Sequence, residues 1–476
     1  MKVMLVYPKD IAENYFAKRP VMGIAYVGTV LEKASHEVLL VDMRLRGYTT
    51  KYFKKLLHKS KPDIVGFSLV ALSLDQGYEL MKIIKEETGA MVVVGGPEVT
   101  LLPTKFLNKP FVDYAFMGEG EYSLLEFVNR YERGESFYDI PGLCYRNEEG
   151  IPRINPPKAI QDLDALPFPN WDLFPLKKYK SRLSKIKFPI TSSRGCPYSC
   201  KFCDSVKVNA SYRVRSPKNV VDELEQVYTK YKNKNFQFMD DNIAIYKNRI
   251  IEMCDEIINR GLHKNFTWVV GQGFSPSKGS YDLFKKMHDA GCIVLYFGIE
   301  SADDEVLRAI RKPHTVAQVR NAVRDAKRAG LIIKAPFMAG LPKSTYEKEK
   351  KYIEFFKELE IDMPKMGHLV PFPGTEMYDW VRQNAKPLME LDAMHEEVSQ
   401  TRGVLDTALF KPAFETEEYP IEQRIKMLKE FQIESEQYIL KRLFGKPLGY
   451  MAFKLSRIKA IRELGVRFLD MYYDQF

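Results

Sequence analysis

Continuous apolar runs alternate with amphipathic segments along the chain up to about residue 135. Each run is six or seven residues long and is followed by a stretch with helical spacing. The runs lie at Lys2–Tyr7, Glu37–Asp42, Asp63–Leu69, Met91–Gly96 and Asp113–Gly118. This alternation predicts that residues 1–135 form a Rossmann-like, doubly wound α/β domain whose parallel strands are buried on both faces.

The carboxyl ends of these strands are candidates for a ligand site, because ligands bind parallel sheets beyond that edge. Three of the ends read Ser68-Leu69, Gly95-Gly96-Pro97-Glu98 and Gly118-Glu119-Gly120. Glycines at such ends let the backbone approach a ligand closely, or they serve only to make tight strand-to-helix turns. Several loops of this kind at one edge favour a large, flat or branched ligand.

A proline-rich stretch interrupts the pattern at 136–187 and predicts a connector. From 188 to 385 a second alternation of strands and helices follows. Its strand candidates are Lys187–Ser193, Asn235–Asp240, Phe266–Gly271, Ile293–Glu300, Leu331–Phe337 and Lys365–Pro371. Six such units predict a partial (β/α)6 barrel with its chemistry at the carboxyl ends of the strands.

The remaining segment, 386–476, has helical spacing throughout. One apolar stripe consists of Met451, Leu455, Ile458, Ile461 and Leu464. Much of the other surface is basic and contains Lys454, Arg457, Lys459, Arg462 and Arg467. This pattern is typical of a packed helix with a solvated basic face, and a peripheral contact with a membrane or an anionic protein is the alternative.

Composition narrows the class of protein. The 476 residues are 45% apolar and 28% charged, with no uncharged apolar run of 18 residues, which indicates a soluble protein with no membrane span. The amino-terminal apolar run is too short for a signal peptide, so we expect a cytoplasmic protein. The net charge of +10 suggests an anionic partner, but the absence of a basic groove with interleaved aromatic residues argues against nucleic acid.

Half of the six cysteines lie within eight residues, at Cys196, Cys200 and Cys203. They directly follow a predicted strand, so three thiolates can converge on one soft metal centre from a single loop. A structural zinc site needs four ligands, usually as two pairs, and the chain has no second pair. A 4Fe–4S cluster held by three cysteines keeps one iron open for another ligand, which is a catalytic arrangement. Three buried thiols without a metal are the alternative interpretation.

The string Cys196-x-x-x-Cys200-x-Phe202-Cys203 resembles the signature of the radical S-adenosylmethionine (SAM) enzymes. In that family the open iron binds the amino and carboxylate groups of SAM, whose reductive cleavage gives a 5′-deoxyadenosyl radical. Later strings match the same family in order: Phe238-Met239-Asp240-Asp241-Asn242, Phe297-Gly298-Ile299-Glu300-Ser301, Gly340-Leu341-Pro342 and Pro371-Phe372-Pro373-Gly374-Thr375.

The resemblance implies a SAM site. Asp240 and Asp241 would hold the methionine amino group, and Glu300 with Ser301 would contact the ribose. These roles agree with residue chemistry, because an ammonium group prefers carboxylate partners and a diol suits a carboxylate acceptor. Paired aspartates at a strand end are also common helix caps, and Glu300 is open to a salt-bridge role. His314 and His368 lie near predicted barrel loops, and either could be a substrate acid or base; no catalytic residue is assigned.

The amino-terminal domain resembles the cobalamin-binding domain that precedes the barrel in one subfamily. The resemblance implies cobalamin contacts from Ser68, Leu69, Gly95, Gly96, Glu98, Gly118, Glu119 and Gly120. Cobalamin domains that donate a histidine to cobalt carry an Asp-x-His-x-x-Gly string after the first strand, and here that loop reads Asp10-Ile11-Ala12-Glu13-Asn14. Asp42-Met43-Arg44-Leu45-Arg46-Gly47 has similar spacing but has Arg44 in place of the histidine. We therefore expect cobalamin without a protein histidine ligand, and with the loop Leu69–Leu72 against its lower face.

The function that the resemblance implies is methylation of an unactivated carbon, with a 4Fe–4S cluster, SAM and cobalamin as cofactors. The substrate would be a protein side chain, a lipid or a small molecule, and a reductase, flavodoxin or ferredoxin would supply electrons. The alternative is a radical SAM cyclase or carbon–carbon bond-forming enzyme that acts on a tetrapyrrole or lipid. A non-enzymatic cobalamin sensor is a third hypothesis, which the series of barrel motifs contradicts.

Overall fold

A computed structural model describes residues 1–9, 19–179, 187–208, 211–391 and 412–456. The loop at Asp10–Asn14 and the carboxyl-terminal positions from Arg457 onwards lie outside the described residues. Internal contacts divide the chain into an N-terminal unit, Met1–Ser181 with Asp204–Arg215, and a C-terminal unit, Arg182–Cys203 with Ser216–Phe476.

The N-terminal unit contains a seven-stranded sheet in the order β2-β1-β3-β4-β5-β6-β7. Its strands are β1 (Lys2–Tyr7), β2 (Glu37–Asp42), β3 (Ile64–Ser68), β4 (Met91–Gly95), β5 (Tyr114–Phe116), β6 (Leu143–Arg146) and β7 (Pro152–Ile154). The first five are parallel, so all five predicted strands are confirmed. Both faces of the sheet are covered, because consecutive residues such as Val3 and Met4 point to opposite faces and both are fully buried.

The proline-rich segment is more regular than predicted. It adds the antiparallel strands β6 and β7 to the edge of the sheet, where Cys144 of β6 pairs with Ala115 of β5. Pro152 is the first residue of the outermost strand, a position where the missing N–H leaves no gap in the hydrogen-bond ladder. Proline there marks a sheet edge, and the predicted connector contributes these two strands to the sheet.

Helices cover the sheet of the N-terminal unit. They are Met22–Lys33, Thr50–Ser60, Leu74–Glu87, Pro97–Leu101, Pro103–Leu107, Gly120–Arg133 and Ser205–Val208. The segment between β7 and the C-terminal unit also has two 3-10 turns, Trp171–Leu173 and Leu176–Tyr179, around the fully buried Trp171.

The C-terminal unit contains a second sheet of six parallel strands. The further strands of this unit are β8 (Phe188–Ile190), β9 (Ser193–Arg194), β11 (Asn235–Phe238), β12 (Thr267–Val270), β13 (Cys292–Tyr296), β14 (Ile332–Ala339), β15 (Met363–His368), β16 (Lys386–Pro387) and β17 (Phe414–Glu415). The short strand β10 (Arg213–Val214) belongs to the N-terminal unit. The six-stranded sheet has the order β15-β14-β13-β12-β11-β8. Sequential order and parallel pairing confirm the predicted partial (β/α)6 barrel and all six of its strands.

The helices of the C-terminal unit follow the barrel strands and then continue to the end of the described chain. They are Pro217–Tyr231, Lys247–Asn259, Tyr281–Asp289, Asp304–Ala309, Val316–Arg328, Tyr346–Glu358, Glu376–Asn384, Ile421–Phe444 and Lys446–Ser456. Among the described residues, none of the helices is both long and apolar enough to cross a membrane.

Candidate active site

The three clustered cysteines lie on one loop beyond the carboxyl end of β8. All three side chains are half-buried. The loop is fixed through its backbone: the N–H of Cys203 donates to the carbonyl of Cys200 at 3.0 Å, and the N–H of Lys201 donates to the carbonyl of Ile310 at 3.1 Å. The carbonyl of Lys201 accepts a bond of 2.9 Å from the N–H of Met377. The cysteine loop is therefore held between the loop after helix Asp304–Ala309 and the first turn of helix Glu376–Asn384.

The surroundings of the thiols combine burial with a nearby cation. Burial raises the pKa of Cys196 and Cys200, and the positive charge of Lys312 partly offsets that effect at both residues. The Lys312 Nζ lies 5.7 Å from the centre of the Phe202 ring, so the aromatic residue of the motif packs beneath this cation. A positive charge here favours thiolates, which are the form that binds metal.

The donor set fits an iron–sulfur cluster. Among the described residues, no group of three or more His, Cys, Asp or Glu side chains is arranged to hold one metal ion. In a 4Fe–4S cluster each cysteine binds a different iron, so the sulfur atoms need not meet around one centre. Three half-buried cysteines on one loop, beside a cation, fit that arrangement.

Asp240 follows β11, and its carboxylate forms hydrogen bonds to other groups of the protein. Its buried carboxylate accepts bonds from the backbone N–H of Ser192, at 3.1 Å, and from the hydroxyls of Ser192 and Ser193, at 2.6 and 2.5 Å. Arg249 completes this buried cluster, because its guanidinium donates to the carbonyl and hydroxyl of Ser192 at 3.1 and 3.0 Å. Asp240 thus ties the end of β11 to the segment that leads into the cysteine loop, a role that the sequence did not indicate.

The two residues that follow are closer to the cysteines. The charge of Asp241 and a hydrogen bond from the Asn242 side chain both act on the thiol of Cys196. The Asn242 Oδ1 also accepts from the backbone N–H of Ala244 and of Ser275, at 3.2 and 3.4 Å. The predicted motif at the end of β11 therefore meets the cysteine loop through Asp241 and Asn242.

Glu300 lies beyond β13 with its backbone in the left-handed region, at φ +65°. Its N–H donates to the carbonyl of Pro336 at 3.0 Å, and its carbonyl accepts from Met338 at 2.9 Å, so β14 holds this conformation. Its carboxylate lies 3.2 Å from the Lys312 Nζ. Gly298 makes room for the pair, since a Cβ there would lie 3.2 Å from both charged groups.

Lys312 is the functional candidate that the sequence analysis missed. Only 12% of its side chain is exposed, and it lies beside a carboxylate and the cysteine loop. Burial alone would lower its pKa, but the charges of Glu300 and Cys200 outweigh that effect and raise the pKa. Lys312 is therefore a fixed positive charge at the carboxyl ends of the barrel strands.

Ser301 and His314 point into the protein interior. The Ser301 hydroxyl is fully buried and accepts a bond of 2.9 Å from the hydroxyl of Tyr352. His314 is buried against the carbonyl of Ile299, and burial together with Lys312 lowers its pKa to about 4. A neutral, enclosed imidazole is typical of a structural residue. His368 ends β15 and is half-buried, and its predicted acid–base role stays a prediction.

A buried polar cluster ties the turn after β14 to the carboxyl-terminal segment. The Glu349 carboxylate accepts from the N–H of Gly340, at 2.8 Å, and from the hydroxyls of Ser344 and Tyr419, each at 2.6 Å. Arg424 donates to the carbonyls of Phe414 and Tyr419 at 2.9 and 2.8 Å. Gly340 has φ +79°, and a Cβ there would lie 2.5 Å from Arg424, so the Gly-Leu-Pro string requires glycine at this position.

In the N-terminal unit, the loops after β3 and β4 pack against each other. A Cβ on Gly96 would lie 2.8 Å from both the backbone N and the backbone O of Leu69, and Gly96 has φ +100°. The N–H of Leu69 donates to the carbonyl of Gly95 at 2.8 Å. The Leu69 side chain is fully buried in the core, whereas Ser68 and the segment 70–72 are half-buried. Leu69 faces the core of the unit, so of the predicted loop Leu69–Leu72 only residues 70–72 stay candidates for contact with the lower face of cobalamin.

The other predicted cobalamin residues have protein contacts as well. Glu98 is 3% exposed, with Lys105 Nζ 3.9 Å from its carboxylate. Gly118 has φ +73°, and a Cβ there would lie 3.0 Å from Pro157. Gly120 begins helix Gly120–Arg133.

Glu119 anchors two segments of the N-terminal unit. Its carboxylate pairs with the Arg213 guanidinium at 2.7 Å, and both side chains are less than a tenth exposed. The same carboxylate oxygen accepts from the N–H of Ile160 at 2.6 Å, and Arg213 donates to the carbonyl of Ile160 at 2.5 Å. This ion pair fixes the segment that follows Cys203 along the chain onto the loop after β5.

We expect cobalamin to lack a protein histidine ligand. The histidines of the N-terminal unit are His36 and His58. His36 precedes β2 at the opposite edge of the sheet and bonds to Asn129 at 2.9 Å, and His58 lies in helix Thr50–Ser60. Arg44, which replaces the histidine in the similar string after β2, forms a buried ion pair with Asp42 at 2.7 Å. Neither histidine is placed on a carboxyl-end loop of the sheet.

Two protein-family models match this chain. The radical SAM superfamily pattern matches residues 190–356, and the B12 binding domain matches residues 8–128. An uncharacterized methyltransferase of Pyrococcus horikoshii is 32% identical over 392 residues, which cover 81% of this chain and 84% of the relative. An anaerobic magnesium-protoporphyrin IX monomethyl ester cyclase of Cereibacter sphaeroides is 27% identical, covering 81% of this chain and 64% of the relative.

A solved structure supports the fold. The radical SAM methyltransferase TsrM of Kitasatospora setae, with tryptophan and a SAM analogue bound, superposes with a TM-score of 0.70. It is 20% identical and covers 82% of this chain and 79% of its own. At this identity the likeness shows that the two proteins share the same α/β architecture.

Proposed function

This chain belongs to the radical SAM enzymes that carry an N-terminal B12-binding domain, and on that premise we propose that it transfers a methyl group to an unactivated carbon. The family uses a 4Fe–4S cluster, SAM and cobalamin. The observation that carries the proposal is the cysteine loop beside the Glu300–Lys312 pair, in a chain that also contains a B12-binding unit. When bound, the cluster and SAM supply a radical that removes a substrate hydrogen, and cobalamin supplies the methyl group.

Different residues of the C-terminal unit bind the cluster and the separate groups of SAM. Cys196, Cys200 and Cys203 bind the cluster. Lys312 pairs with the carboxylate of SAM, because a desolvated ammonium group is a strong partner for an anion. Glu300 accepts from the ribose hydroxyls, and Asp241 accepts from the amino group.

Two predicted SAM residues take positioning roles in this proposal. Asp240 has its carboxylate bonded to Ser192 and Ser193, so it orients the start of the cysteine loop. Ser301 is bonded to Tyr352, so it holds the backbone that carries Glu300.

For cobalamin, we propose contacts from the exposed parts of the carboxyl edge. Ser68, the apolar segment 70–72, Gly95 and Gly120 are half-buried and border this edge. The shape of this edge is set by the contacts of Gly96, Gly118 and Glu119 described above. Glu98 is buried in the helix that directly follows β4.

The reaction requires single electrons, which a flavodoxin, a ferredoxin or a reductase would deliver in a reducing cytoplasm. The substrate class stays open among protein side chains, lipids and small molecules. A second candidate function is ring closure or carbon–carbon bond formation, which is favoured by the likeness to the Cereibacter cyclase.

An experiment with a cysteine variant tests the proposal. The reconstituted wild-type protein should cleave SAM under reducing, anaerobic conditions, and label from S-(methyl-¹³C)-SAM should enter a product. Cys200→Ala should lose the cluster and all cleavage. Cys254→Ala is the matched control in the same unit, because Cys254 is buried in helix Lys247–Asn259 away from the cysteine loop.

The outcome separates the two functions. Labelled methyl in the product supports the methyltransferase, whereas SAM cleavage with an unlabelled, cyclised product supports the alternative. Equal SAM cleavage by Cys200→Ala and the wild type would contradict both.

A further inference from the structure

Exposed apolar side chains are concentrated at the end of the described chain. Of the eleven large apolar residues in the described part of the chain that are more than a third exposed, five lie within twelve residues: Phe444, Leu448, Tyr450, Met451 and Leu455. Their exposed fractions range from 38% to 58%. An apolar patch of this kind on a globular protein usually marks a binding surface.

The packing of helix Lys446–Ser456 fixes which side faces outward. Gly449 is its buried position, and a Cβ there would lie 2.5 Å from both the Leu440 carbonyl oxygen and the Lys441 Cα. The helix therefore lies with its Gly449 side directly on the backbone of helix Ile421–Phe444. Leu448, Met451 and Leu455 are spaced at i, i+3 and i+7, so they form one stripe away from that contact.

The charged residues of the segment that carries this stripe are all basic. Between Gln437 and Ser456 the sequence contains four Lys or Arg residues and no Asp or Glu. They are Lys441, Arg442, Lys446 and Lys454. Of these, Arg442 is also paired with Asp362 at 3.2 Å, and the exposed Lys454 lies 4.8 Å from the Tyr450 ring centre. A helix with an apolar stripe, an adjoining tyrosine and four to eight basic residues is the pattern that binds the surface of an anionic membrane.

We infer that the stripe Leu448–Met451–Leu455, with the basic residues around it, docks the protein on an anionic lipid surface. The apolar side chains enter the boundary between headgroups and acyl chains, and the ammonium and guanidinium groups meet the lipid phosphates. Charge complementarity selects this occupant, because the segment 437–456 contains basic but no acidic residues, and an apolar protein partner would not require this excess of positive charge beside the contact.

Vesicle binding by the full-length holoprotein tests the inference. The protein should co-sediment with phosphatidylglycerol/phosphatidylcholine vesicles at low salt, and binding should weaken strongly as salt is raised. Pure phosphatidylcholine vesicles should bind at least tenfold less. A triple variant, Leu448→Gln with Met451→Gln and Leu455→Gln, should lose binding at least tenfold, and glutamine keeps the helix propensity high.

A charge variant gives an independent test. Lys441→Gln with Lys454→Gln should weaken binding to anionic vesicles about 25-fold, since each basic residue near the surface contributes about 1 kcal/mol, or about fivefold. Ile151→Asp is the matched control, because Ile151 is 47% exposed in the N-terminal unit and its replacement should leave binding unchanged. SAM cleavage by the variants in solution should equal that of the wild type, which shows that they fold.

Three outcomes would overturn the inference. One is no binding to anionic vesicles, and another is equal binding by the triple variant. The third is concentration-dependent self-association in sedimentation that the triple variant abolishes without any lipid binding, which would assign the stripe to a second copy of this chain.

Discussion

Replacing Glu349 with glutamine should remove a pH dependence from the stability of the C-terminal unit. Glu349 is fully enclosed beneath the turn after β14. Burial raises the pKa of its carboxyl from 4.5 to about 7, although hydrogen bonds from Ser344, Tyr419 and Gly340 and the charge of Arg424 oppose this effect. Glutamine has nearly the same shape and keeps an oxygen for the bonds from Ser344 and Gly340, but it carries no charge at any pH.

The magnitude follows from the two pKa values. In the unfolded chain Glu349 ionises near 4.5, and in the folded protein near 7. Between these values the folded state binds more protons than the unfolded state, so stability falls as pH rises through that window and is level above it. At 1.36 kcal/mol per pKa unit, the loss between pH 4.5 and pH 7 is about 3 kcal/mol.

The assay is urea unfolding of the wild type and Glu349→Gln at several pH values from 5 to 8. Tryptophan fluorescence suits it, because Trp380 packs edge-on against Phe414, at 6.3 Å between ring centres, in the segment that the Glu349 cluster holds. Other titrating groups affect both proteins equally, so the difference between the variants isolates Glu349. Relative to the wild type, Glu349→Gln should become more stable as pH rises, by about 2 kcal/mol over the part of the window between pH 5 and 7.

Glu347→Gln is the matched control, because Glu347 is exposed in the first turn of the same helix. It should follow the pH profile of the wild type. Parallel loss of stability in the wild type and Glu349→Gln across this range would refute the reasoning, since it would mean that Glu349 titrates alike in the folded and unfolded states.

Three further predictions concern the cofactor sites. Arg213→Met should destabilise the N-terminal unit by about 3–5 kcal/mol, because it removes the cation that pairs with the buried carboxylate of Glu119, and a fall in its thermal midpoint of less than a degree would contradict this role. Lys312→Met should weaken SAM binding roughly 10- to 100-fold in calorimetry, the value of a charged hydrogen bond, and an unchanged dissociation constant would exclude the proposed carboxylate contact. Cobalamin bound in the Co(II) state should give an electron paramagnetic resonance spectrum without nitrogen splitting from a protein histidine, because His36 and His58 lie away from the carboxyl edge; such a splitting would disprove the expectation.

Both sheets could be predicted because their strands are continuous apolar runs. Such a run is the typical sequence of a strand that is buried on both faces of a parallel sheet. Strands β6 and β7 were missed because an edge hairpin is short and partly exposed, and its proline was read as a breaker. The cysteine loop was predicted because its spacing is local and specific.

The partners of the site residues could not be read from spacing alone. Glu119 and Arg213 are 94 residues apart, and Asp240 meets Ser192 across 48 residues. The sequence identified these acidic residues as candidate ligand contacts, and only the fold shows that the protein uses their carboxylates internally. Lys312 was missed for the same reason, because its approach to Glu300 and the cysteine loop depends on how β13 and the following helix turn back.

The most direct test of the central claim is the amount of cobalamin bound per chain after anaerobic purification and cluster reconstitution under saturating cobalamin. The methyltransferase account predicts close to one cobalamin per chain, together with a loaded 4Fe–4S cluster. A loaded cluster with no bound cobalamin would contradict it.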